Sequence, residues 1–360
     1  MIHSFRSGHL FPKKGWPFFR AQFAPRDNVN LHAPSEKIRV ALLFGGRSGE
    51  HEISIRSAKS IRQSLDPAKY QVSDYFITKD GRWEPRIISP EPGANPDIDV
   101  IFPVLHGTFG EDGTVQGLLE LAELPYVGAG VLSSAVSMDK AVTKRLCHEA
   151  GLPVGPYVVL TKGRFDPARI ELPFDFPVFV KPANLGSSVG ITKVKSAAEL
   201  KSALETALQF DRKIVVERGI QGREFECAVL GGAAPRASVP CEILPSQDFY
   251  TYEDKYLLDK AQIELPANLS LEQTSEMQAL AVACFEAVEC EIMGRVDFLM
   301  DGVTGKFYVN EINTIPGFTS ISMYPRMWEH SGVPYATLLD TLIDSALERS
   351  HARRKLQYSR

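Results

Sequence analysis

The chain has few cysteines, and they are badly placed for cross-linking. Cys147, Cys227, Cys241, Cys284 and Cys290 are scattered over 360 residues, an odd number with no C-x-x-C spacing and no histidine cluster beside them. That excludes a disulfide scaffold and a cysteine-histidine zinc site, and it predicts a reduced, cytoplasmic chain. No run approaches the ~18 consecutive apolar residues of a membrane span. No charged start leads into an apolar core with a small-residue cleavage site, so no anchor, secretion signal or membrane partner is expected. A basic excess is missing too. Lys and Arg number 40 against 44 Asp and Glu, a net charge of -4, whereas a grip on nucleic-acid phosphates needs clustered cations. Residues 1–36 lack any acid before Asp27 while carrying Arg6, Lys13, Lys14, Arg20 and Arg26. A transit-like segment is one reading, but their amphipathic periodicity is weak for a targeting helix, so a disordered extension or an upstream start that is not always used is the plainer one. Repeats and low-complexity tracts are also wanting.

What is present is the balance of a globular protein, 44% hydrophobic and 23% charged, long enough for two or three domains of roughly 100–200 residues. The apolar run 38–44 ending in Gly45-Gly46 predicts a buried strand entering a turn, and Ile55, Ala58, Ile61 and Leu65 recur at helical spacing after it. A second strand, 100–105, runs into the glycine-rich stretch 106–113, followed by Val115, Leu118, Leu119 and Ala122 at helical spacing. Strands alternating with helices predict a parallel sheet whose ligands gather at the carboxyl ends of its strands, where loops 45–54 and 106–113 lie. A helix should stop near Ala150, before Gly151 and Pro153. Strand patterns then dominate at 176–181, 190–194 and 213–217. Ser196 with Glu199 and Ser270 with Gln273 have capping-box spacing and should open two helices. Two adjoining α+β domains fit this second part.

Two stretches could carry chemistry. The glycine- and serine-rich loop 181–190, with Lys181 at its base, offers backbone N–H groups to phosphate oxygens. It lacks the Gly-Lys-Ser/Thr ending of a Walker loop, and a strand follows it, so a plain hairpin explains it equally well. The pair of strand patterns 295–301 and 307–313 is more informative. Alternate residues of a strand share a face, so Arg295 and Asp297 lie together, as do Glu311 and Asn313 on the partner. If those faces coincide, three hard oxygen ligands converge beside an arginine. Such a set suits Mg²⁺, which retains waters and phosphate oxygens alongside one or two carboxylates. A solvated strand face is the plainer alternative.

The stretches Gly45 to Ser54, His106 to Thr114 and Glu311 to Ser322 resemble signatures of D-alanine:D-alanine ligases in the ATP-grasp superfamily. The motifs occur in matching order from about 40 to 325. The resemblance implies an α/β and α+β, ATP-grasp fold. An extension (1–36) would precede an N-terminal parallel α/β substrate domain (37–140), a central lid domain (141–220), a C-terminal catalytic domain (221–348) and a basic tail (349–360).

It also implies an enzyme joining two D-alanines with ATP through an acyl phosphate, for peptidoglycan synthesis. Asp297, Glu311 and Asn313 would hold two Mg²⁺, with Mn²⁺ as a substitute and a monovalent cation admitted. Lys140, Lys181 and Lys255 would serve ATP, Ser187 and Ser188 would form the phosphate lid, and Glu217, Arg218 and Ile220 would line the adenine slot. Glu224 would take the ribose. Glu50, with His106 nearby, would receive the first D-alanine; Ser322 and Met323 would receive the carboxylate of the second. Arg295 and the Gly317 N–H would form an oxyanion hole, and Tyr256, in the loop 248–262, would close over the site with Ser187 and Glu50. A homodimer is expected on the same ground.

The rivals are a related ligase forming D-alanyl-D-lactate and a nucleotide-binding regulator without turnover, which would be expected to lack Glu311, Asn313 or Arg295. Gly128-Ala129-Gly130 has the start of a dinucleotide fingerprint, but Ser133 replaces its third glycine. Cys147 and His148, adjacent on a helix, cannot share a metal. The basic tail from Arg349 reads as a solvated terminus.

Overall fold

Val40, Ala41, Leu42 and Leu43 are all buried in β1 (Ile38–Gly45), as expected of a strand covered on both faces. The computed structural model describes residues 37–186, 189–232, 234–244 and 262–357. After β1 comes α1 (His51–Ser64), which buries Ile53, Ala58 and Ile61. Then follow β2 (Tyr70–Ile77), β3 (Trp83–Glu84) and β4 (Val100–Pro103). The sheet order is β3-β2-β1-β4, with β2 and β4 parallel to β1 and β3 antiparallel at the edge. The parallel sheet expected from the alternation is therefore present. Gly45 has φ +94°, and a Cβ there would lie 2.2 Å from the Ile77 carbonyl oxygen, so only glycine allows the chain to turn so close to β2. Its N–H donates to Ser54 Oγ at 2.7 Å, and that hydroxyl in turn donates to the Val104 carbonyl. One serine of α1 thus joins the carboxyl ends of β1 and β4.

Three helices lead onward: α2 (Thr114–Leu121), α3 (Val131–Met138) and α4 (Lys140–Glu149). The Asp139 side chain caps α4, accepting from the Ala141 and Val142 N–H groups. The helix stops where expected, ahead of Gly151 at φ +75°.

A second, all-antiparallel sheet contains β5 (Tyr157–Thr161), β6 (Val178–Pro182), β7 (Thr192–Val194) and β8 (Lys213–Arg218) in the order β5-β8-β6-β7. It is covered by α5 (Ala197–Ala207), which buries Leu200, Ala203, Leu204 and Ala207. The capping box expected at Ser196 does not form. Its hydroxyl donates to Glu199 at 3.2 Å instead of accepting from the helix, and Glu199 reaches past the cap to the Lys195 N–H at 3.0 Å. A carboxylate is a stronger acceptor than a hydroxyl, so the serine O–H donates its hydrogen bond to Glu199.

The third sheet has the order β12-β11-β9-β13-β14, built from β9 (Gly222–Leu230), β10 (Arg236–Ala237, paired with β9), β11 (Cys241–Leu244), β12 (Gln262–Glu264), β13 (Met293–Asp301) and β14 (Phe307–Asn313). Before β13, α6 (Leu271–Ala287) opens with the expected Ser270–Gln273 capping box, complete in both directions. It packs Met277, Ala281, Cys284 and Phe285 against Phe225, Phe298 and Phe307.

Last come α7 (Met323–His330) and α8 (Tyr335–Arg354). The final helix returns to the first sheet and buries Leu338, Leu339, Leu342, Ile343 and Ala346. The reading of a solvated basic tail from Arg349 fits the exposed Arg354 to Gln357 but is corrected at Arg349 and Arg353. Arg349 is only 10% exposed in its side chain. It donates to the carbonyls of Gly128 and Tyr126, both at 2.7 Å, and pairs with Glu291 at 3.1 Å, while Arg353 pairs with Glu120 and Glu291. Charge density along a sequence does not reveal buried carbonyls that need donors.

Candidate active site

The register of the third sheet decides which charges meet. Asp297 pairs with Glu226 on one side and Glu311 on the other, while Arg295 pairs with Ala228 and Asn313. Directly paired residues share a face, so Glu226, Asp297 and Glu311 form one row and Arg295 with Asn313 the next. The small Ala228 leaves Arg295 room to turn back along its strand. It grips both Asp297 oxygens at 2.7 Å, with Nε also 3.3 Å from Glu226. The faces of the two strands, which alternation alone leaves open, therefore coincide. A register shift after Asp297 leaves Asn310 as an extra residue of β14, and bulges re-aim side chains in this way. Asn310 Oδ1 lies 3.3 Å from Lys181 Nζ, and its carbonyl accepts from Lys144 Nζ at 3.4 Å.

Three lysine and two glutamate side chains stand around that bulge. Lys140, the first residue of α4, lies 3.3 Å from Glu311 and donates to the Leu185 carbonyl at 2.8 Å. The start of α4 is thereby tied to the glycine-rich loop. Glu217, at the end of β8, accepts Lys181 at 3.0 Å and Lys144 at 3.3 Å. Burial works against its charge, but the two ammonium groups outweigh it and hold the carboxyl below its ordinary range. For Lys181 burial also opposes ionisation, yet Glu217 and Glu311 raise it above the ordinary value. Lys144 goes the other way: burial dominates, Glu217 opposes it, and the repulsion of Lys181 adds to the lowering.

A cavity of about 480 Å³ opens above this cluster. Glu50, at the N-cap of α1, and Gly186 of the glycine-rich loop approach each other across it: a Cβ on Gly186 would sit 3.4 Å from Glu50 Oε2. His106 is buried beneath. Its Nδ1 lies 3.0 Å from the Ile315 carbonyl, which only accepts, so Nδ1 carries the proton and Nε2 presents a lone pair. Nε2 is buried with no partner among the described residues. Burial lowers the His106 pKa, leaving the ring neutral. Glu111 accepts from the N–H groups of Gly107 at 2.6 Å and Ile315 at 3.3 Å. Burial pushes this carboxyl up to about 8, the Glu50 charge adds to the rise, and the two N–H donors with Arg295 oppose it.

The far wall is the turn 313–323. Asn313 Oδ1 accepts the Ile315 N–H at 3.1 Å, and Ser322 Oγ accepts the Thr319 N–H at 2.9 Å. A Cβ on Gly317 would meet Ser322 Oγ at 2.7 Å, so only glycine keeps that hydroxyl in place. The N–H groups of Gly317 and Met323 donate to no described atom.

Of the residues singled out from sequence, Glu50, Lys140, Arg295, Glu311, Asn313, Gly317, Ser322 and Met323 line the cavity. Asp297 lies behind Arg295, His106 lies below, and Lys181 with Glu217 forms the buried cluster beside it. Glu224 sits two residues from Glu226 on β9, close enough for its charge to act on Lys181. Arg218 and Ile220 are half-buried where β8 ends, with Arg218 Nε buried and without a partner among the described residues. Ser187, Ser188, Lys255 and Tyr256 fall outside the described residues. Sequence reading missed Lys144, Glu111, Glu226 and Arg326. Signals existed for two: Lys144 stands four residues from Lys140 on one helix face, and Glu226 shares a strand face with Glu224.

Among the described residues no group of three or more His, Cys, Asp or Glu side chains could hold a metal ion. The donors present are two carboxylates on paired strands and one carboxamide. That set fits Mg²⁺, whose remaining positions go to waters and phosphate oxygens.

Comparison with known proteins gives matches to D-alanine ligases. The family described as D-ala D-ala ligase C-terminus matches residues 146–344, and that described as D-ala D-ala ligase N-terminus matches 39–92 and 87–129. The chain is 62% identical over 328 residues to the D-alanine--D-alanine ligase of Solibacter usitatus, covering 90% of this chain and 100% of that protein. Among solved structures, the D-alanine-D-alanine ligase from Coxiella burnetii superposes with a TM-score of 0.79 at 40% identity, over 89% of this chain and 97% of that one. The VanG D-Ala:D-Ser ligase from Enterococcus faecalis has the same TM-score of 0.79 at 35% identity, over 86% and 100%.

Proposed function

The chain belongs to the D-alanine–D-alanine ligase family, and from that premise we propose how its residues divide the work. The enzyme joins two D-alanines into D-alanyl-D-alanine for peptidoglycan, using ATP and a divalent metal and releasing ADP and phosphate. A carboxylate is a poor acyl donor, so the first D-alanine takes the γ-phosphoryl group of ATP on its carboxylate oxygen. The amine of the second then attacks the carbonyl carbon, and phosphate departs as the tetrahedral adduct collapses.

In this reading Lys140 and Lys181 hold ATP phosphates, aided by the Ser187 and Ser188 lid. Glu217, Arg218 and Ile220 border the adenine, with Glu224 at the ribose and Lys255 serving ATP. Asp297, Glu311 and Asn313 hold Mg²⁺, for which Mn²⁺ can substitute. Bound there, the metal offsets charge on the transferring phosphoryl group. Glu50 pairs with the ammonium of the first D-alanine. His106 Nε2, buried and neutral, adds an acceptor nearby. Arg295 and the Gly317 N–H receive the oxyanion, and donors already aimed at it are worth ~10²–10³ in rate. Ser322 Oγ and the Met323 N–H take the carboxylate of the second D-alanine at the N-terminus of α7, where backbone donors favour an anion. Tyr256 and Gly186 help to exclude the water that would hydrolyse the acyl phosphate.

The same reading extends to a homodimer in the cytoplasm, with a monovalent cation admitted, and to domains at 37–140, 141–220 and 221–348, a division supported by the three separate sheets. Among the described residues no helix is long and apolar enough to cross a membrane. The observation that carries the assignment of residues is the Asp297–Glu311 pairing with Lys140 at 3.3 Å from Glu311.

Its test is Glu311→Gln, which keeps shape and removes a ligand charge. ADP release dependent on D-alanine should fall by at least ~100-fold with the fold intact. Near-normal turnover at saturating Mg²⁺ would remove Glu311 from the metal site. Offering D-serine and D-lactate in the same assay, with products resolved by mass, checks that the acceptor is D-alanine.

A further inference from the structure

Arg295, which lines the cavity, spends Nε and Nη2 on Asp297. A second guanidinium lines the same cavity. Arg326 lies on α7, four residues after the N-cap Ser322 and three after Met323. Residues at i and i+4 share a helix face, and long helical side chains lean toward the helix N-terminus. Arg326 is thereby set to reach back over the turn that presents Ser322 Oγ and the Met323 N–H. It is half-buried, yet it donates no hydrogen bond and joins no ion pair with a described residue. A partly desolvated guanidinium with no anion of its own is costly to keep unless an anion arrives.

We infer that Arg326 is a specificity residue for the acceptor, closing its guanidinium on the free carboxylate of the second substrate beside Ser322 and the Met323 N–H. The inference rests on the reading that places that carboxylate at the start of α7. It defines the acceptor class as an α-amino acid with an ionised carboxylate. Amides and other acceptors without that charge forfeit a planar, charge-assisted contact that a lysine reproduces only in part.

The test is steady-state kinetics of the full-length enzyme, with D-alanine varied at saturating ATP and ATP varied at saturating D-alanine. Arg326→Met should raise KM for the second D-alanine by ~10–100-fold (about 1.4–2.7 kcal/mol), with KM for the first D-alanine and for ATP within about twofold. Arg326→Lys should recover most of the loss. In competition between D-alanine and D-alaninamide as acceptors, the preference of the unmodified enzyme for the acid should shrink by the same factor in Arg326→Met. A purely structural role would not change that ratio. Arg326→Gln serves as a second neutral variant should the Met form not fold.

An unchanged second KM in a folded neutral variant, or a rise in the KM for ATP instead, overturns the inference. Ser322→Ala, run in parallel, separates the two levels. If it raises the second KM while neutral Arg326 variants do not, Arg326 is excluded and the carboxylate pocket stands. If neither does, the pocket itself is misplaced.

Discussion

Glu111 occupies the loop after β4 with one carboxyl oxygen on the Gly107 N–H and the other on that of Ile315. It is buried near Glu50, His106 and Arg295, and its pKa rises from an ordinary 4.5 to about 8. A raised carboxyl pKa means that the folded chain holds a proton the unfolded chain has released. The stability this contributes is complete below about 4.5 and is lost as pH climbs through about 8. Glu111→Gln cannot titrate. It loses one acceptor, since an amide NH₂ cannot receive an N–H, but that cost does not vary with pH. The stability of the unmodified protein minus that of Glu111→Gln should therefore fall by at least ~1 kcal/mol between about pH 5 and pH 8.5. Urea midpoints of both proteins at the two pH values measure it. A flat or rising difference would mean that Glu111 is ionised throughout. The residue stands inside a motif conspicuous in the sequence, but its raised pKa comes from burial first and the approach of Glu50 second, neither of which linear spacing reveals.

Strands proved more legible than helix ends. Alternation along β13 and β14 was sufficient to pair Arg295 with Asp297 and Glu311 with Asn313 on one face of each strand, because strand periodicity is geometric, while the register decided that the two faces coincide. It did not foresee the bulge that turns Asn310 toward Lys181. Of two capping-box spacings, Ser270–Gln273 formed and Ser196–Glu199 did not, since the charged Glu199 had an alternative donor in the Lys195 N–H. The end of α8 was read from its charge and misjudged. Arg349 stacks 4.4 Å over the Tyr126 ring and donates to two carbonyls of the segment before α3. Arg349→Met keeps bulk but strands those carbonyls and Glu291, so it should cost ~2–3 kcal/mol in urea unfolding. Arg354→Met, at an exposed position, should stay within ~0.5 kcal/mol. Equal, small losses in both variants would show that the docking of α8 rests on its leucines alone.

At the scale of the whole molecule, the cavity takes walls from α1, α4, the glycine-rich loop, β13, β14 and α7, positions spread from Glu50 to Arg326. β1 begins at Ile38 and every site residue follows it. Removing residues 1–36 should therefore leave turnover within about twofold and the urea midpoint within ~0.5 kcal/mol. A large loss of activity in a truncated but folded protein would give that segment a part in the reaction.

By itself the sequence determined the parallel first sheet, the shared face of the ligands within each of β13 and β14, and the family, because each depends on short-range periodicity or on motifs of consecutive residues. Tertiary structure alone decided that Lys144 and Lys181 share Glu217, that Arg295 is held by Asp297, that burial raises the Glu111 carboxyl, and that Arg326 lines the cavity without a partner among the described residues. The physical reason is common to all four. Charge state and pairing depend on distance and burial between segments far apart in the chain, and a Coulomb interaction in a partly dry interior changes with every ångström of approach.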